Sequence, residues 1–327
     1  MINLITGGAG FIGSHLADAL VARGDEVIIL DDLSTGRREN VAHLLETGRA
    51  ALVEGSTSEQ RLVGELMRGV DRCFHLASAV GVQLVCERPL ETLLRNVRGC
   101  DAVLGTAASQ GVALLFTSTS EIYGKNSHGA LHEESDRLLG TPAKARWNYA
   151  NAKTFGEMLA YGYHRELGAE MVVARLFNTV GPRQSAAYGM VLPRLARQAL
   201  TGEPLTVFGD GSQSRCFVHV DDTVEALVGL AGRSAAGGGT FNVGSSREIT
   251  ILELAERVVE RAESTSPIAF VPFEEAYEEG FEELGRRQPD TSAVEELIGW
   301  APSRTIENAI DDVLAYQRAL LKDRTTA

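Results

Sequence analysis

Apolar positions in the first half of the chain follow two alternating periods. Five short runs, Ile2–Thr6, Glu26–Asp31, Arg72–Leu76, Ala113–Thr117 and Glu170–Arg175, are nearly continuous in apolar and β-branched residues. Such runs suit strands buried on both faces. Between them, Phe11–Arg23, Leu90–Ser109 and Trp147–Leu167 repeat apolar residues at helical spacing. Alternating strand and helix predicts an α/β fold with a doubly wound parallel sheet. After Asn178 the pattern loosens, with turn signals at Gly181-Pro182-Arg183 and Gly209-Asp210-Gly211. Helices are predicted near Val191–Leu200, Asp221–Ala231, Ile251–Arg261 and Ile306–Leu321, separated by short strands. The pattern divides the chain into 1–177 and a smaller C-terminal α/β lobe, 178–327. About 217–243 is expected to return to the first sheet.

Composition narrows the class. The 327 residues are 44% hydrophobic and 23% charged, ordinary for a globular protein with a real core. No apolar run approaches the ~20 residues that span a bilayer, so no membrane partner is expected. The first strand-like run starts at Ile2, which leaves no room for a signal peptide and predicts a cytoplasmic protein. Cys73, Cys86, Cys100 and Cys216 have neither CxxC nor metal-ligand spacing, so free thiols and no metal are expected. A net charge of −13 argues against nucleic acid as a partner. An anionic ligand would need local basic groups or backbone N–H donors.

Such donors are available at the start of the chain. Thr6-Gly7-Gly8-Ala9-Gly10-Phe11-Ile12-Gly13 follows the first strand and opens the first helix. Gly7, Gly10 and Gly13 permit a tight turn and a close approach of backbone to a pyrophosphate, which the helix N-terminus attracts. In this strand–turn–helix context the motif predicts dinucleotide binding. Asp31 ends the second strand, 18 positions beyond Gly13. A carboxylate there accepts the adenosine ribose hydroxyls and repels a 2′-phosphate, favouring NAD over NADP. Arg37 and Arg38 pull the other way, because a guanidinium can hold a 2′-phosphate.

Tyr149 and Lys153 stand four apart on a predicted helix and share a face. The ammonium stabilises a phenolate, which can take a hydroxyl proton while hydride leaves for NAD. Thr117-Ser118-Thr119-Ser120-Glu121 ends another strand, where open α/β sheets bind ligands. Thr119 is a candidate bridging hydroxyl and Glu121 a candidate second acid or base. Strand alternation would turn both toward the site and Ser120 away.

Together these residues resemble the extended short-chain dehydrogenases/reductases, specifically the NAD-dependent epimerase/dehydratase family of nucleotide-sugar enzymes. The resemblance runs through TGGAGFIGSH, DDLSTG, HLAS, TSTSEIYG, YANAK, RLFNTVGPR, GEPLTVFGDGSQSRCFVHVDD, FNVGS and RRQPDTS. It implies a Rossmann fold, NAD as cofactor and a nucleotide sugar, a UDP-sugar first, as substrate. Gly7, Gly10, Phe11, Ile12, Gly13, Asp31, Asp32, Leu76 and Ala77 would then bind the cofactor. Tyr149 would be the base, Lys153 its partner and a ribose ligand, and Thr119 the bridging hydroxyl. Ser120 would contact substrate and Asn178 its diphosphate. Arg215 would reach the nucleotide, Val207 and Phe208 the base, and Arg287 the diphosphate. The family often carries an aspartate after the third strand, where Glu54-Gly55-Ser56 has serine. Family members commonly form homodimers through two helices, here Leu90–Ser109 and Trp147–Leu167.

The resemblance implies hydride removal from sugar C4 and leaves the later step open. Thr119-Ser120-Glu121 resembles UDP-glucuronate decarboxylases and GDP-mannose 4,6-dehydratases, where the glutamate works at C5 or orders the site. RLFNTVGPR and GEPLTVFGDGSQSR resemble decarboxylases and epimerases. The stretch after His75-Leu76-Ala77-Ser78 lacks the proline-rich segment usual in decarboxylases. A C5-active, decarboxylase-like enzyme is the first expectation and a UDP-hexose or UDP-glucuronate 4-epimerase the alternative. A 4,6-dehydratase follows, then a non-catalytic NAD(P) sensor.

Overall fold

A computed structural model of the chain describes residues 1–80, 87–186, 190–276 and 286–326; Cys86 and the Gly81-Val82 step after HLAS lie outside these. Seven parallel strands form the central sheet. They are β1 (Ile2–Thr6), β2 (Glu26–Asp31), β3 (Ala50–Glu54), β4 (Arg72–His75), β5 (Ala113–Thr119), β6 (Met171–Leu176) and β11 (Thr240–Val243). Their order is β11-β6-β5-β4-β1-β2-β3. The order reverses between β1 and β4, the place where such sheets open a crevice at their carboxyl ends. Five of the seven match the apolar runs. β3 escaped that list because no residue in it is buried. β11 is the returning segment, paired with β6 from Thr240↔Val173 to Val243↔Leu176.

Side-chain alternation along β1 sends Ile5 to one core and Leu4 to the other. On one face α1 (Phe11–Ala22) and α7 (Val220–Ala231) cover Ile5, Ile29 and Phe74 with Leu16, Leu20 and Leu227. On the other, α4 (Pro89–Gln110) and α5 (Asn148–Leu167) cover Leu4, Leu30 and Phe116 with Val103, Leu104 and Ala160. Proline in the first turn starts α4, and left-handed glycines, Gly111 and Gly168, end α4 and α5.

A third core lies in the C-terminal half. It joins α6 (Val191–Thr201), α8 (Ile251–Ala262) and α11 (Ile306–Thr326) over β8 (Leu205–Phe208). A capping box at Thr250 and Glu253 starts α8. Pairs of short strands join the lobe's loops: β7 (Thr179–Val180) with β10 (Val218–His219), β9 (Ser214–Cys216) with β12 (Glu248–Thr250), and β8 with β13 (Ile268–Val271).

A buried polar network crosses the layers. Arg175 on β6 donates to Glu157 on α5 through Nε at 3.0 Å and Nη2 at 2.7 Å. Its Nη1 donates to the Tyr123 hydroxyl at 2.9 Å and the Glu133 carbonyl at 2.7 Å. Tyr123 in turn donates to Asn242 Oδ1 at 2.8 Å, and Asn242 Nδ2 donates to the carbonyls of Leu131 and Asp290. Removing one partner of a buried pair strands the other charge, at a cost of about 3–5 kcal/mol. Arg175→Ala should therefore lower the urea midpoint sharply. Arg257→Ala, which breaks a half-exposed pair with Glu307, should cost at most about 1 kcal/mol. Equal midpoints for the two variants would contradict the network's role.

Candidate active site

The carboxyl ends of β1, β2, β4, β5 and β6 open into one cleft of about 520 Å³ that continues into the C-terminal lobe. Its floor begins at the glycine turn. Gly7 adopts φ +73°, and a Cβ there would meet the Ala77 amide nitrogen at 2.8 Å. A Cβ on Gly13 would lie 2.1 Å from the Gly7 carbonyl oxygen. Gly10 is the N-cap of α1, with no side-chain cap and no acid in the first turn. The turn therefore presents bare backbone N–H groups and the positive helix end to the cleft, which fits a dinucleotide pyrophosphate. Phe11, Ile12, Leu76 and Ala77 line the walls beside it.

Asp31 is buried at the end of β2. Its Oδ2 accepts the Ala9 N–H and its Oδ1 the Leu33 N–H, both at 2.9 Å. Burial pushes its carboxyl above the ordinary range, and the two amide donors oppose that rise. The carboxylate thus holds the glycine turn and faces the cleft at once. Asp32 pairs with Arg95 of α4 and accepts from Ser34. Arg37 and Arg38 are exposed and do not line the cleft. Ser56 lines it and accepts the Ser58 N–H at 3.2 Å.

Tyr149 sits in the first turn of α5 and lines the cleft together with Ser78 and Thr119. Burial, then the Glu121 charge, raises its ionisation well above the ordinary tyrosine range. Lys153, one turn on, donates to the Thr117 carbonyl at 2.7 Å and lies 6.0 Å from the Tyr149 ring centre. Burial lowers Lys153 to about 8. Burial opposes the charged form of both groups, yet Lys153 still holds its proton at neutral pH and is a cation placed to favour a phenolate.

Beyond Thr119 the strand turns into a single 3₁₀ turn, Ser120–Tyr123. Thr119 Oγ1 accepts the Glu121 N–H at 3.2 Å. This turn corrects the strand alternation expected for Ser120: it also lines the cleft, where Arg287 reaches its hydroxyl at 3.4 Å. Glu121 lies between two buried guanidinium groups, paired with Arg146 at 2.6 Å and with Arg287. Burial opposes its ionisation, but Arg287 and Arg146 more than offset that and hold the carboxyl at about 2. It is ionised at neutral pH.

In the C-terminal lobe, Asn178, Phe208 and Arg215 line the cleft. Asn178 donates to the Cys216 carbonyl at 3.0 Å, and the Arg194 guanidinium lies 4.2 Å over the Phe208 ring. Val207 is not brought there. Alternation along β8 packs it into the third core, fully buried with Leu205, while Phe208 faces the cleft.

Three contributors were missed in the sequence. Arg146 precedes the helix in a short 3₁₀ turn, Ala145–Trp147, and nothing in its spacing marks it. Ser78 belongs to HLAS but its hydroxyl carried no assigned role. Asn96 reads as one polar residue among several on an amphipathic helix. Its Nδ2 donates to the Ala79 carbonyl at 3.0 Å, and its Oδ1 accepts the Ala79 N–H at 2.7 Å. A side chain bonding a neighbouring loop on both sides leaves no periodic signal.

A turn shaped for phosphates, continued along the same strand ends by hydroxyl, tyrosine and lysine, is the arrangement of the extended short-chain dehydrogenases/reductases. Residues 3–244 match the model of the NAD dependent epimerase/dehydratase family, and the chain belongs to that family. Its cofactor is NAD. It is 38% identical over 321 residues to the UDP-N-acetyl-alpha-D-glucosaminuronate decarboxylase of Bacillus cytotoxicus, covering 98% of each chain. It is 38% identical over 309 residues to UDP-glucuronic acid decarboxylase 1 of Arabidopsis thaliana, covering 94% of this chain and 67% of the relative. Among solved structures, the UDP-glucuronic acid 4-epimerase of Bacillus cereus superposes with a TM-score of 0.88 at 25% identity, covering 98% and 100% of the two chains.

The cofactor preference is testable at Asp31. The native protein should bind NAD far more tightly than NADP in calorimetric titration, and Asp31→Ala should narrow the gap. Equal native affinities would assign the ribose end to another group.

Proposed function

We propose that the chain decarboxylates a UDP-linked uronic acid through a transient 4-keto sugar. The observation that carries this reading is the Arg146–Glu121–Arg287 cluster beside Thr119 and Tyr149. Two cations and one anion leave a local positive surplus in a chain of net charge −13. That surplus suits a sugar carboxylate in a cleft already suited to a dinucleotide. The names of the Bacillus and Arabidopsis relatives support the same substrate class and the same outcome.

When bound, NAD supplies the hydride acceptor for sugar C4 and later the hydride donor. Tyr149, its phenolate favoured by Lys153 and with Thr119 as the bridging hydroxyl, takes the C4 hydroxyl proton and afterwards returns it. Arg146 and Arg287 hold the C6 carboxylate, which is β to the C4 ketone. The C5–C6 electrons enter that ketone as carbon dioxide leaves, and the resulting enolate takes a proton from water at C5. Glu121 stays ionised and fixes both guanidinium groups. Asn178, Phe208 and Arg215 take the nucleotide and diphosphate, with Ser120 and Arg287 toward the sugar. We assign cofactor binding to residues 1–177, joined by about 217–243, and nucleotide-sugar binding to the rest of 178–327.

The second reading is a UDP-uronate 4-epimerase, favoured by the likeness to the Bacillus cereus structure. Such an enzyme needs no chemistry at C5. Glu121→Gln separates the two. A decarboxylase variant should accumulate 4-keto sugar and reduced nicotinamide, read by absorbance, with little final product. Unchanged turnover would promote the epimerase. Tyr149→Phe should lose on the order of 10²–10⁴ in rate while still binding NAD.

The reading includes a cytoplasmic homodimer. Among the described residues no helix is long and apolar enough to cross a membrane. Leu90 and Leu94 on α4 and Met158 and Tyr161 on α5 are exposed apolar side chains on two helices packed together. A two-fold pairing through these helices would cover them. Light scattering at micromolar concentration should report a dimer, and a monomer would rule the pairing out.

A further inference from the structure

The part of the cleft that enters the C-terminal lobe holds an amide side chain that none of the roles above uses. Phe208, Phe273, Leu192 and Ile251 give this part apolar walls. Two polar side chains, Arg194 and Gln213, line it as well. Both are fixed on Phe208. The Arg194 guanidinium lies 4.2 Å over its ring and donates through Nη2 to the Thr206 carbonyl at 3.1 Å. Gln213 Nε2 donates to the Phe208 carbonyl at 2.9 Å. Apolar walls with a few placed polar groups suit a nucleobase, whose faces are apolar and whose edge is polar.

The direction of the Gln213 amide follows from its partner. A carbonyl oxygen only accepts, so Nε2 must face Phe208 and Oε1 must point away from it. Oε1 takes no hydrogen bond among the described residues, and Gln213 is half-buried rather than sealed in. The chain that carries it is held on both sides. Asp210 Oδ1 accepts the Ser212 N–H at 2.9 Å and the Ser212 hydroxyl at 2.7 Å. The Gln213 carbonyl accepts the Ile251 N–H at 3.1 Å, and β9 begins at the next residue. A guanidinium, which only donates, and an amide oxygen, which only accepts, therefore stand beside one aromatic ring. Their complement is an N–H flanked by carbonyls, which is the edge of uracil or thymine. Cytosine carries a lone pair at N3 in place of that N–H. We propose that Gln213 is a specificity-determining residue that accepts the N3–H of a uracil or thymine ring and so selects the base of the nucleotide sugar. Arg194 supplies the donor for an adjoining ring carbonyl.

The inference rests on the substrate being a UDP-sugar, and its test separates the two claims. The NAD-loaded protein would be titrated by calorimetry with UDP, 3-methyl-UDP and CDP. The methylated analogue keeps the uracil ring and loses only its N3–H donor. The native protein should bind UDP about tenfold or more tightly than either analogue. Gln213→Ala removes the acceptor and makes room for the methyl group, so both analogues should bind within about threefold of UDP. The diphosphate is common to all three ligands, so a general defect in the variant would weaken them alike and leave the native preference in place. Should Gln213→Ala fail to fold, Gln213→Ser withdraws the acceptor as well and meets the same criteria. Equal native affinity for UDP and 3-methyl-UDP, or a preference that survives loss of the amide, overturns the role of Gln213. A native protein that binds GDP but neither UDP nor CDP instead overturns the reading of the substrate as a UDP-sugar.

Discussion

The pairing of Arg175 with Glu157 fixes the reacting end of this molecule. Both side chains are almost wholly buried, so neither charge has water to fall back on, and the geometry must satisfy every donor. Glu157 lies one turn beyond Lys153 and two beyond Tyr149 on α5. Arg175 shares its guanidinium with Tyr123, two residues beyond Glu121, and Asn242 carries the network to Asp290, three beyond Arg287. Helix, turn and C-terminal loop are thereby held in one register. A slip of α5 by one residue would break a bidentate ion pair in a dry interior. The tyrosine, the lysine and the arginine-held glutamate therefore owe their mutual placement to a bond that touches none of them.

Electrostatics within the cleft follows the same logic of burial and compensation. Burial raises Tyr149 and lowers Lys153 to about 8, which leaves the lysine a cation at neutral pH. Glu121 reaches the opposite outcome because two guanidinium groups outweigh its desolvation. The cluster is a positively biased pocket in an acidic protein, with a locked carboxylate at its centre. At the other end the glycine turn offers backbone N–H groups and no formal charge. The two ends of the cleft thus offer an anion different chemistry, backbone dipoles at the glycine turn and guanidinium groups beside Glu121.

Local pattern made much of this legible. The β1–α1 turn, Asp31 at the end of β2 and Tyr149 with Lys153 on α5 each depend on short-range spacing, and each lies where that spacing puts it. What the pattern missed depends on contacts distant in sequence. β3 is an edge strand without a buried residue, so periodicity had nothing to register. Ser120 defied strand alternation because a 3₁₀ turn began at that residue. Val207 carried an expectation from resemblance that its inward position on β8 does not meet. Arg146 and Asn96 act through partners 25 and 17 residues away, Glu121 and Ala79, which no local window joins.

Decarboxylation of a UDP-uronic acid is the central claim, and its product is the direct test. Purified protein would be incubated with NAD and UDP-glucuronate, and the nucleotide sugar followed by mass spectrometry. The account predicts a UDP-pentose, lighter than the substrate by one carbon dioxide. A product of unchanged mass carrying an isomeric sugar, or one lighter by water, would contradict it.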